Sequence, residues 1–119
     1  LLGDPFVKSG KLGISAGSCM GSMGPFADFG KLFSGKTTAG ITSTTYIKLM
    51  AHTAPVNVGV FFGITGRIIT TSSACTSGSQ GLGYAFEAIR SGAQVAMLAG
   101  GSEEFDVSQV AVYSSTVFF

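Results

Sequence analysis

Apolar positions along the chain fall into two kinds of run, and the spacing within each assigns most of the elements. Leu12-Gly13-Ile14-Ser15-Ala16-Gly17 is short, apolar and rich in small residues, and it leads into the glycine-rich stretch 17–24. A buried strand entering a tight turn is expected there. Pro25 then precedes Phe26, Phe29, Leu32 and Phe33, apolar at spacings of 3, 4 and 7. Proline at the start and Gly35 at the end predict a short amphipathic helix. Residues 36–45 are rich in Thr and Gly and read as loop, while the apolar segment 46–62, interrupted by Pro55, reads as one broken helix or two. Residues 68–73, Ile-Ile-Thr-Thr-Ser-Ser, are β-branched at their start and follow Gly66, so a strand is predicted.

Leu82, Ala85, Phe86 and Ile89 recur at i, i+3, i+4 and i+7. They mark a helix from near Cys75 to Arg90, ended by Gly92. Val95-Ala96-Met97-Leu98-Ala99 is a continuous apolar run stopped by Gly100 and Gly101. Strand, helix and strand in that order, with both strands apolar throughout, predict an α/β class with a parallel sheet covered on both faces. No internal repeat and no linker divides the chain.

Composition changes this picture in one respect. Hydrophobic residues make up 45% of the 119 residues and charged ones 11%, where an average soluble domain has about 25% charged. Too little charge is present to cover an ordinary monomer, which predicts a buried segment of something larger. The net charge is +1, from 7 basic and 6 acidic residues scattered without a stripe, so nucleic acid is not expected as a partner. Mean hydropathy is +0.47, yet the longest uncharged stretches carry His52, Pro55 and Asn57 or many Ser, Thr and Gly residues. Neither is the apolar run of about 20 residues that a spanning helix requires, and no membrane segment is expected. Two cysteines, Cys19 and Cys75, do not make the dense framework of a secreted domain, and no signal-peptide pattern appears. A reducing cytoplasm is the expected setting.

The chemistry centres on Ser72-Ser73-Ala74-Cys75-Thr76-Ser77-Gly78-Ser79-Gln80-Gly81. Here a cysteine stands where a predicted strand ends and a predicted helix begins. Helix-start N–H groups and the positive end of the helix dipole favour thiolate over thiol, and the same N–H groups could hold an oxyanion. Ala74, Ser77, Gly78, Gly81 and Gly83 are small enough for a sharp turn and close packing. A lone cysteine in an apolar protein is more often a small buried side chain, and spacing alone does not separate the two.

A resemblance does. The run 68–83, with Phe86-Glu87-Ala88-Ile89-Arg90-Ser91-Gly92 and the stretch 95–104 after it, resembles the signature of the β-ketoacyl synthases, whose nucleophile lies in an Ala-Cys-Thr-Ser-Gly context. Ala99-Gly100-Gly101-Ser102-Glu103 is similar to that family's next strand and turn. Gly17-Ser18-Cys19-Met20-Gly21 resembles its Gly-Ser-Gly-X-Gly turn, with Cys19 where glycine is more usual. The resemblance implies a thiolase-like, five-layer αβαβα fold, of which 1–119 would be a partial N-terminal half. It implies acyl transfer from acyl carrier protein to Cys75 and decarboxylative condensation with malonyl-carrier protein in fatty-acid synthesis, without metal or dissociable cofactor.

It further implies that Met20 borders the acyl pocket, and that a homodimer forms through the strand preceding the nucleophile. No catalytic role passes to His52 or Asn57. His52 is the single histidine, whereas such synthases stabilise the enolate with two histidines from the C-terminal half. Together with a start that lacks Met and an uncapped Val117-Phe118-Phe119 end, this predicts a longer working chain.

Three rivals remain. Gly30-Lys31-Leu32-Phe33-Ser34-Gly35-Lys36-Thr37 satisfies the phosphate-loop pattern, but no strand precedes it and a poor helix start follows. A non-catalytic partner subunit would not need Cys75. A thiolase or polyketide-type condensing domain shares the acyl-cysteine chemistry.

Overall fold

The computed structural model describes residues 2–35 and 37–115. Lys36 of the phosphate-loop pattern and the terminal Val117, Phe118 and Phe119 lie outside that set. The elements run β1 (Leu12–Gly17), α1 (Gly24–Gly35), α2 (Ser43–Lys48), α3 (Thr53–Phe62), β2 (Ile68–Thr71), α4 (Ser77–Arg90), β3 (Ala96–Gly101) and α5 (Val107–Ser115). The strands form a parallel sheet in the order β2-β1-β3, so α4 carries the chain from β2 across β1 to β3. This is the expected α/β arrangement.

The two faces of the sheet differ in side-chain size. Leu12, Ile14 and Ala16 share one face with Ala96, Leu98 and Gly100, because Leu12 pairs with Ala96 and Ile14 with Leu98. Parallel register keeps paired residues on the same side. Leu12 and Ile14 are buried there in a core with Val7 and Ile64, flanked by Phe62. Helix α3 packs on this face: a Cβ on Gly59 would stand 2.7 Å from the tip of Ile68 and 3.5 Å from that of Ile14. The opposite face presents Gly13, Ser15 and Gly17, and α4 lies on it.

That packing reverses the expectation for α4. The helix forms over the expected residues, and Gly92 at φ +75 follows its end. Of the periodic stripe only Ala85 is buried, and the residues that meet the sheet are Ser77, Gly81, Ala85 and Ala88. Leu82, Phe86 and Ile89 point away, 57%, 62% and 45% exposed. Small residues win the sheet face because the helix approaches so closely. A Cβ on Gly17 would lie 2.3 Å from the Ser77 backbone carbonyl, and one on Gly81 2.9 Å from the Gly100 oxygen.

The apolar segment 46–62 resolves into α2 and α3, separated by a turn at 49–52, with Pro55 inside the first turn of α3 where its missing N–H costs no helical bond. Gly63, left-handed at φ +69, closes α3. Helix α2 begins at Ser43, inside the expected loop, because Thr42 and Thr45 form a reciprocal cap: each side-chain oxygen accepts from the other residue's backbone N–H. Residues 30–35 of the phosphate-loop pattern lie within α1, so no loop is present there to wrap a phosphate. No described helix is long and apolar enough to cross a membrane.

The chain is a slab of 50 × 41 × 20 Å with a radius of gyration of 17.1 Å, against about 13.5 Å for a compact domain of this length. Its accessible surface is 7587 Å², where a monomer of this mass exposes about 6,000 Å². The expectation that both sheet faces are covered holds in part. Pro55 and Val58 of α3 border an open cleft of about 190 Å³ beside Ala16, Leu98 and Ala99.

The small-residue face gives a stability test. Gly17→Ala is expected to lower stability by about 1–3 kcal/mol, since backbone cannot move aside for the new methyl. Ser15→Ala should be neutral or stabilising, because the Ser15 hydroxyl is fully buried without a hydrogen-bond partner. Denaturant unfolding of the full-length protein measures both; equal effects would contradict the packing described.

Candidate active site

Between β2 and α4 the chain makes a sharp turn at 72–76, and Cys75 stands at its crest, exposed and unpaired. Ala74 adopts φ +49, the single non-glycine residue in the left-handed region among those described. For a residue with a Cβ this costs about 1–2 kcal/mol. The turn is held by hydrogen bonds on either side. The Thr76 and Ser77 N–H groups donate to the carbonyls of Ser73 and Ala74 at 3.2 and 3.1 Å. The Ser77 hydroxyl accepts from Ser73 N–H at 2.8 Å and donates to the Ala74 carbonyl at 2.6 Å. Below, the Thr71 hydroxyl donates to the Ser77 carbonyl at 2.7 Å, fixing the start of α4 to the end of β2.

Cys75 thus sits two residues before α4, close to the expected strand-to-helix junction. The N–H groups of Thr76 and Ser77, expected to be unpaired, are instead committed to the turn.

A cavity of about 390 Å³ opens over this turn, lined by Cys75, Ser77 and Gly78, the β1 exit at Ser18 and Cys19, and Glu103 with Tyr113. Parallel strands bring these groups together, since the carboxyl ends of β1, β2 and β3 all point to the same edge. Glu103, just past β3, fastens the β1 turn: its carboxylate accepts from the Ser18 hydroxyl at 3.2 Å and from the Cys19 N–H at 2.7 Å. Glu104 accepts from the Met23 N–H. Sequence reasoning had placed Glu103 only as part of a matching turn. The remaining signal was a pair of adjacent carboxylates, Glu103 and Glu104, shortly after a predicted strand.

Met20 lies on the same β1 turn, half-buried, with its sulfur 3.9 Å from the Gln109 side-chain amide of α5. Gly17, Ser18 and Cys19 of that turn line the Cys75 cavity, and Met20 does not. Burial pushes the Cys19 thiol above its ordinary value of 9.0, and the Glu103 carboxylate pushes the same way by hydrogen bonding and repulsion. The Tyr113 hydroxyl is held above 10.0 chiefly by the neighbouring Cys75 sulfur. His52 is an exposed residue at the start of α3 that makes no side-chain cap, and Asn57 is exposed on α3. Neither lines the cavity.

Comparison with known proteins agrees with this geometry. The family model "Beta-ketoacyl synthase, N-terminal domain" matches residues 4–116. A β-ketoacyl synthase from Burkholderia phymatum STM815 superposes with a TM-score of 0.86 at 44% identity, over 95% of this chain and 28% of that one. The type II PKS assembly AntDE:AntF, an acyl-carrier protein in complex with its ketosynthase bound to the hexaketide, superposes with a TM-score of 0.76 at 26% identity, over 90% of this chain and 31% of that one. No curated protein sequence matches. The chain belongs to the β-ketoacyl synthase family and spans less than a third of either solved relative.

The electrostatics of Cys19 can be read by labelling. A thiol raised above 9.0 holds little thiolate near neutrality, so its alkylation should be slow there and keep climbing above that pH. Glu103→Gln removes the negative charge, and the climb is expected at lower pH. Peptide-resolved iodoacetamide kinetics measure it; an unchanged profile would show that the carboxylate does not act on this thiol.

Proposed function

We propose that this chain is the nucleophile-bearing part of a β-ketoacyl-[acyl-carrier-protein] synthase of fatty-acid type, and that Cys75 carries the acyl group. The observation that carries the reading is the exposed Cys75 at the crest of a braced turn, facing a cavity, in a chain of this family. The Cys75 thiolate attacks the thioester carbonyl of an acyl-carrier protein, and the carrier thiol leaves. Malonyl-carrier protein then loses carbon dioxide. The resulting enolate carbon attacks the Cys75 thioester, the C–S bond breaks, and the thiolate is regenerated as the β-ketoacyl product departs. The partner at both steps is acyl carrier protein, as the carrier-bound state of one solved relative supports. The Ala74-Cys75-Thr76-Ser77-Gly78 sequence favours the fatty-acid type. The likeness to a type II PKS ketosynthase supports the polyketide type as the second reading.

The whole enzyme extends beyond these residues in this reading. Leu82, Phe86 and Ile89 of α4 form an apolar face that this chain does not cover, and an inner helix of a five-layer fold needs such a face. Homodimerisation would use β2, which pairs with β1 on one side only among the described residues; a second β2 there would continue the sheet. The setting is a reducing cytoplasm, which would keep Cys19 and Cys75 as free thiols. Met20 acts as the adjustable wall of the acyl chain's path, because a flexible thioether accommodates different lengths.

The full-length protein should form β-ketoacyl product from acyl- and malonyl-carrier protein, and Cys75→Ala should abolish it. Product formation by that variant at the wild-type rate would overturn the assignment. Met20→Trp is expected to shift the product distribution to shorter acyl chains; an unchanged distribution removes Met20 from the acyl path. Sedimentation at micromolar concentration should give a dimer, and a monomer alone would contradict the use of β2.

A further inference from the structure

We propose that Ser77 is the positioning residue that sets the aim of the Cys75 sulfur, by holding Ala74 in its left-handed conformation. The proposal rests on the reading of Cys75 as the acyl carrier and deepens it.

Ala74 is an unusual residue for φ +49. With a Cβ and no side-chain hydrogen-bonding group, it has nothing of its own to favour that region. The conformation must therefore be imposed from outside: the Thr76 and Ser77 N–H groups hold the carbonyls of Ser73 and Ala74, and one buried side chain bridges the turn. Ser77 is 4% exposed. Its hydroxyl accepts from the Ser73 N–H on one side of Ala74 and donates to the Ala74 carbonyl itself, at 2.8 and 2.6 Å. The oxygen thus bridges the 72–73 and 74–75 peptide units, with the 73–74 unit and the left-handed residue between them. The φ of Ala74 turns the chain between those units, and the next residue is Cys75.

Ser77 is itself tied to the sheet through its backbone. Its carbonyl accepts from the buried Thr71 hydroxyl at the end of β2, and its backbone lies against Gly17 at the end of β1 so closely that a Cβ there would stand 2.3 Å away. The hydroxyl is therefore anchored to two strands of the sheet. Removing it would leave the Ser73 N–H without this partner and the Ala74 carbonyl with the Ser77 N–H alone, and let Ala74 relax toward negative φ, swinging the Cys75 sulfur off its line into the cavity. Thr76, whose hydroxyl donates to the Ser73 carbonyl at 2.8 Å, is exposed and holds only the peptide unit before Ala74, whereas the buried Ser77 hydroxyl bonds on both sides of that residue.

The test compares the full-length protein with Ser77→Ala, Ser77→Thr and the double variant Ala74→Gly/Ser77→Ala. The readouts are the rate of acyl transfer to Cys75 from acyl-carrier protein and the peptide-resolved rate of iodoacetamide alkylation at Cys75 and Cys19. Misaiming a nucleophile by about an ångström costs up to about 100-fold; Ser77→Ala is expected to slow acyl transfer by about 10- to 100-fold. Its Cys75-to-Cys19 alkylation ratio should change, whereas general loosening would raise both rates together. Ser77→Thr keeps the hydroxyl and should recover most of the rate. Ala74→Gly in the Ser77→Ala background removes the steric bias against the left-handed region and should recover part of it.

If Ser77→Ala cannot be purified, Ser77→Cys keeps the volume with a weak donor, and its acyl transfer should fall well below that of Ser77→Thr. Wild-type acyl transfer in Ser77→Ala or in Ser77→Cys would overturn the proposal. So would equal losses in the Ala and Thr variants, or a double variant no faster than Ser77→Ala. Absence of acylation in the wild-type protein would instead defeat the reading of Cys75, and the alkylation ratio alone would then judge the role of Ser77.

Discussion

Helix α4 rests on the sheet backbone to backbone, at a distance that no side chain larger than a few atoms permits. Gly17 at the end of β1, Gly78 and Gly81 on the helix and Gly100 and Gly101 at the end of β3 meet there, with 3.0 Å left for a Cβ on Gly101 toward Gly78. This contact sets where α4 begins, and the start of α4 sets where the chain must turn after β2. Cys75 occupies that turn. Its position is therefore fixed by the sheet, and the left-handed Ala74 is the local cost of reversing direction in so few residues.

The same contact explains the surface. A helix whose small face meets the sheet must carry its large side chains elsewhere, and Leu82, Phe86 and Ile89 stand on its outer side. Exposed apolar area on this scale exceeds what a monomer usually tolerates. The extended radius of gyration fits the same description, and the chain spans 28% of one solved relative, as part of a layered fold with the Cys75 turn formed within it. Glu103 and Glu104 complete that part by tying the β1 turn to the β3 exit, so all three strand ends contribute to one cavity.

Much of this was legible in the sequence, for identifiable reasons. Strand β1 and helix α1 stand where small-residue runs, Pro25 and Gly35 placed them, and Gly92 marked the end of α4. The face of α4 was not legible from periodicity. A period of 3.6 marks a helix and its apolar stripe, but a stripe does not reveal whether the sheet or another layer will cover it, and Gly81, Ala85 and Ala88 competed successfully for the closer site. The start of helix α2, at 43 rather than 46, was missed because its capping box uses Thr45 where Glu or Gln is usual. Cys75 was singled out by its motif, while the bonds of Glu103 reach across 84 residues, which no local pattern records. Met20 stands on the glycine-rich turn after β1, where its sulfur meets Gln109 of α5, a contact equally invisible along the chain.

The central claim is that Cys75 forms the covalent acyl thioester and that its close neighbour Cys19 does not. Incubating the full-length protein with an acyl-carrier protein bearing a labelled acyl chain, followed by digestion and peptide mass spectrometry, tests it directly. The account predicts the acyl mass on the peptide containing Cys75, absent in Cys75→Ala and unchanged in Cys19→Ala. An adduct that persists in Cys75→Ala, or that maps to Cys19, would contradict it.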